Sequence, residues 1–78
     1  MDKLGEYIAH LHQLGMWGDA VSTRMSAVIA FFYWLVQYYG PPAHADRVTD
    51  NLVAEYIGTH PDEGALVSEF HRWLQEVT

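Results

Sequence analysis

Five histidines in 78 residues are the first side chains that could do chemistry, because imidazole both ligates metals and titrates near pH ~6.5. Their spacing builds no site. His10 and His12 are two apart, which puts them on different sides of a helix. His44, His60 and His71 are scattered along the rest of the chain, and no H-x-x-x-H pair or HExxH segment occurs. With no cysteine, thiolate metal sites and disulfides are excluded. The hydroxyls Ser22, Thr23, Ser26, Thr49, Thr59, Ser68 and Thr78 lie in no nucleophile elbow and beside no evident base. Asp62 and Glu63 adjoin at a helix start, where the helix dipole accounts for them. Glu69, Arg72 and Glu76 read as a solvated ladder at i, i+3 and i+7. We therefore expect no enzyme, no catalytic residue, no metal and no cofactor.

The elements that carry these residues are legible from hydrophobic spacing. Leu4, Tyr7, Ile8, Leu11 and Leu14 form an amphipathic stripe that Gly15 and Gly18 end. Asp19 reads as the N-cap of a second helix, unbroken until Gly40-Pro41-Pro42. Ala43 to Asp46 is a linker. Val48, Leu52, Val53, Tyr56 and Ile57 make a third stripe, stopped by Gly58. Pro61 suits the first turn of a fourth helix, whose stripe is Leu66, Phe70, Trp73, Leu74 and Val77. The expected fold is all-α, a single small four-helix domain with helices at about 3–14, 19–39, 46–58 and 61–77, the second central.

That second helix is the unusual one. From Ala27 to Val36 no polar side chain turns toward water, and Phe31, Phe32, Tyr33, Trp34, Tyr38 and Tyr39 crowd its second half. An apolar run of this length suits a buried helix better than a membrane span, which needs about 20 residues. A helix apolar on every side is wrapped by others or lies in an interface. Ala27, Val28, Phe31, Trp34, Leu35 and Tyr38 are assigned to the core. Ile29, Phe32, Tyr33, Val36 and Tyr39 are expected to face outward as a protein-interface patch, since aromatic residues dominate interface hot spots.

Four basic residues against ten acidic ones leave a formal net charge of −6. Nucleic-acid binding leans on Lys and Arg that neutralise phosphates, so this balance disfavours it and points to a basic partner or to solubility. The absence of cysteine and of a basic, apolar leader fits a cytoplasmic protein. Two segments, EYIAHLHQLG and AVSTRMSAVIAFFYWLV, nonetheless carry a family likeness. Tyr7, Ile8, Leu11 and Gly15 in the first, and Val21, Arg24, Met25, Ser26, Ala27, Phe31, Phe32, Trp34 and Leu35 in the second, resemble two helices of the SAM-like core-binding domain of tyrosine recombinases (phage integrases). GPPAHADRVTDNLVAEYI resembles the proline linker and short helix that follow. The resemblance implies DNA binding, here through Ser22, Thr23, Arg24, Ser26 and Arg47, with catalysis in a separate domain. Positions that tend to be basic in that family hold Ile29, Ala30 and Tyr33 here. The leading expectation is a non-enzymatic acidic binding protein, an inhibitor or adaptor, that contacts a protein partner or a second copy of itself. DNA binding is the alternative.

Overall fold

The computed structural model describes residues 3–42 and 44–77. Helix α1 spans Leu4–Gln13, α2 Asp19–Tyr39, α3 Asp50–Thr59 and α4 Pro61–Val77, with a short 3-10 turn at Ala45–Arg47. No strand occurs among the described residues, so the fold is the all-α four-helix one expected.

Glycines end the first two helices as the sequence suggests. Gly15 (φ 84°) follows α1 and Gly40 (φ 79°) follows α2, both in the left-handed region that costs glycine no Cβ clash. At the start of α2 the expected cap is displaced by one residue. Gly18 takes the capping position and Asp19 is the first helical residue, where its charge still faces the positive end of the dipole. The third helix begins four residues later than the stripe predicts. Thr49 is extended and its Oγ1 accepts from the Leu52 amide at 3.3 Å, an N-cap that fixes the start at Asp50. Val48 therefore packs from the loop, and Ala43 of the expected linker lies outside the described residues.

Two adjoining clusters make the core. One joins Tyr7 and Leu11 of α1, Val28, Phe32 and Leu35 of α2, and Phe70, Trp73 and Leu74 of α4. The other joins Ala27 and Phe31 of α2, Val53 and Tyr56 of α3, and Val67 of α4. Helix α2 runs through both, which places it centrally, and α4 shares that position. Rings meet edge to face at Tyr7–Phe70 (5.0 Å), Phe31–Tyr56 (5.2 Å) and Phe32–Phe70 (5.9 Å), the arrangement their quadrupoles favour.

This packing corrects two assignments on α2. Phe32, expected outward, is 1% exposed, and Tyr38, expected in the core, is 67% exposed. The buried arc is wider than one stripe because α2 has covered flanks on both sides. Phe31 faces α3 while Phe32 meets Phe70 of α4, so adjacent rings are both enclosed. Tyr38 lies on the buried arc by angle, but in the last turn the one ring among the described residues that meets it is Trp34 (5.8 Å).

Candidate interaction surface

With Phe32 removed, the expected patch separates into two groups. Ile29, Tyr33 and Val36 are four and three residues apart and share one side of α2. Tyr33 is 71% exposed there, with Ile29 and Val36 half-buried beside it. The second group closes the helix. Trp34, half-buried, has Tyr38 on it at 5.8 Å, Tyr39 at 5.8 Å and the enclosed Tyr56 at 5.3 Å. Tyr39 is 45% exposed, and its hydroxyl donates to Glu55 Oε2 at 2.6 Å. That hydrogen bond raises the Tyr39 pKa above its ordinary value, so the phenol stays a neutral donor. The aromatic end of α2 is thus tied to an acid of α3.

The residues of the DNA alternative are placed differently from one another. Ser22, Thr23 and Ser26 are exposed on the first half of α2. Arg24 donates to Ala20 O at 3.2 Å and pairs with Glu69 of α4 at 3.4 Å. Arg47 donates to the carbonyls of Tyr39, Gly40 and Pro42, where it satisfies the free acceptors at the end of α2. Both guanidinium groups are therefore engaged within the fold. Lys3 pairs with Glu6 at 3.3 Å, whereas Arg72 makes no ion pair among the described residues. The ladder expected around Arg72 does not form, because Glu69 turns to Arg24 instead.

The histidines are dispersed. His10 lies 5.8 Å from the Trp73 ring, His12 stacks on Trp17 at 3.9 Å, and His60 stacks on Tyr56 at 4.2 Å. His71 Nε2 meets Asp50 Oδ1 at 2.6 Å and so ties α4 to the start of α3. No group of three potential metal ligands forms among the described residues.

Two features escaped the sequence reading. Leu14 and Trp17 are 59% and 65% exposed on the loop between α1 and α2, although Leu14 continues the stripe of α1. Leu14 is carried out of line because the chain leaves the helix at Gly15. Behind it lies a cleft of about 170 Å³, floored by Tyr7, Leu11 and Trp73 and rimmed by Arg24 and Arg72. Its walls come from the two ends of the chain, a pairing that no local spacing reveals.

Comparison with known proteins gives no match to a family model, a curated protein or a solved structure. The likeness to recombinase core-binding domains therefore stands on the residues quoted above. No helix among the described residues is long and apolar enough to cross a membrane.

Proposed function

We propose that this chain is a non-enzymatic binding protein that acts by protein–protein contact through the exposed rings of α2. The observation that carries the reading is Tyr33 and Tyr38, 71% and 67% exposed on one helix whose Phe31 and Phe32 rings already fill a close-packed core. Large rings contribute contact area at small entropic cost, and so recur at hot spots. The occupant we infer is a protein with a basic, partly apolar surface. The net charge of −6 complements it, and Glu55 lies at the same end of α2 as Tyr38, bonded to the Tyr39 hydroxyl. An inhibitor or adaptor role in the cytoplasm fits this chemistry. The engagement of Arg24 and Arg47 within the fold weighs against the DNA alternative.

The test uses the double variant Tyr33→Ser, Tyr38→Ser, which removes exposed rings only. Wild-type chain cross-linked in its native host should recover a basic protein, and the purified pair should bind with an affinity that the double variant lowers at least tenfold. Equal binding by the two forms would exclude this face, and a salt-dependent shift with duplex DNA would favour the alternative.

A further inference from the structure

A second site lies away from the outward side of α2, in the cleft between α1, the following loop and α4. Tyr7 is the key residue. Its ring is buried, and its hydroxyl, which makes no hydrogen bond among the described residues, is open to solvent at the cleft. It lies near enough to Glu69 and Arg24 to feel both charges, and burial together with Glu69 keeps it protonated. A further donor comes from α4, because the Arg24 guanidinium is already held by the Glu69 carboxylate at 3.4 Å. Arg72 lines the same cleft and has no acidic partner among the described residues.

The rest of the wall is apolar: Leu11, Leu14, Met16 and the face of Trp73. The volume of about 170 Å³ matches a ring-sized body, given that a cavity of about 150 Å³ admits benzene. Unmet donors over an apolar floor call for an acceptor carried on a small apolar group. Glu69 does not oppose an anion, being neutralised by Arg24, which leaves Glu76 as the competing charge at the rim.

We infer that this cleft binds a carboxylate attached to a six-carbon-sized apolar body, with the carboxylate toward Arg72 and the Tyr7 hydroxyl and the body against Trp73. That chemistry occurs in a free aryl- or alkyl-carboxylic acid and at the C-terminus of a peptide ending in an apolar residue. The proposal is independent of the partner face on α2.

Titration of isotope-labelled protein with 3-phenylpropanoate, followed by NMR, tests it. Saturable shifts are expected at Tyr7, Arg72 and Trp73, with a dissociation constant on the order of 1 mM, as about ten heavy atoms can supply. The uncharged amide of the same acid should bind about tenfold more weakly, equivalent to ~1.4 kcal/mol. Arg72→Gln should cost a similar factor without affecting folding, since Arg72 is exposed and unpaired. Glu76→Gln should tighten binding. The peptide Gly-Gly-Phe with a free C-terminus supplies the second source, and whichever ligand binds tighter names it. Equal binding of acid and amide, loosening by Glu76→Gln, or no saturable shift at the cleft up to ~10 mM with either ligand would overturn the assignment.

Discussion

Phe32 and Tyr33 are neighbours in sequence, with 1% and 71% of their surfaces exposed. The hydrophobic character of each is similar, so the difference is set by what α4 presents to one and nothing presents to the other. Phe32→Ala should therefore cost ~3–5 kcal/mol in a denaturant titration, the usual range for emptying a packed ring site. Tyr33→Ser should stay within about 0.5 kcal/mol of wild type. Tyr56 makes a separate point about protons. It is buried against Phe31 and donates to Glu63 Oε2 at 2.7 Å, and burial first, then this hydrogen bond, raises its pKa from the ordinary 10.0. Above pH 10.0 the unfolded chain releases a proton that the folded chain keeps, so stability falls as pH rises through that region and is unaffected below it. In Tyr56→Phe that alkaline loss should be smaller, read as a shallower decline of melting temperature above pH ~10.

Helix ends show which local signals could be trusted. Gly40 and Pro61 punctuate the chain where the sequence places them, because backbone geometry alone makes them act. Thr49 was unremarkable among other hydroxyls, and the stripe through Val48 pointed to an earlier start. Only the hydrogen bond to Leu52 N distinguishes a cap from a helical threonine. Arg47 enters the DNA alternative only through the family resemblance, whereas its geometry closes the end of α2. The α3–α4 hairpin has a comparable pair in its glycines. A Cβ on Gly64 would lie 3.0 Å from Ile57 Cγ2, while one on Gly58 would meet nothing within 4 Å. Gly58→Ala should accordingly stabilise by up to about 1 kcal/mol through helix propensity. Gly64→Val should destabilise by ~1–3 kcal/mol, since a branched side chain must force the two helices apart. Thermal unfolding of the two variants should show shifts of opposite sign.

At the scale of the molecule, the helical architecture was legible because each stripe reports its own burial. The site was less so. Tyr33 could be placed outward from angle alone, but Phe32, Tyr38 and the cleft depend on where α4 crosses α2 and α1, and one strand of sequence holds no record of a crossing. Charge, by contrast, is a global property read directly, and it separates the two occupants that the outward rings could have. Two copies of this chain each bring a formal charge of −6 to a shared interface, so their association must work against mutual repulsion. Salt would screen that repulsion and strengthen a homodimer, the Debye length shrinking from about 30 Å at 0.01 M to about 8 Å at 0.15 M. A basic partner reverses the sign, because the same screening removes attraction and slows encounter. Sedimentation of the chain alone across this range should show no self-association that grows with salt. Binding to a basic protein through Tyr33 and Tyr38 should weaken several-fold over the same interval. Self-association that strengthens with salt and disappears in the double serine variant would assign the rings to a second copy instead.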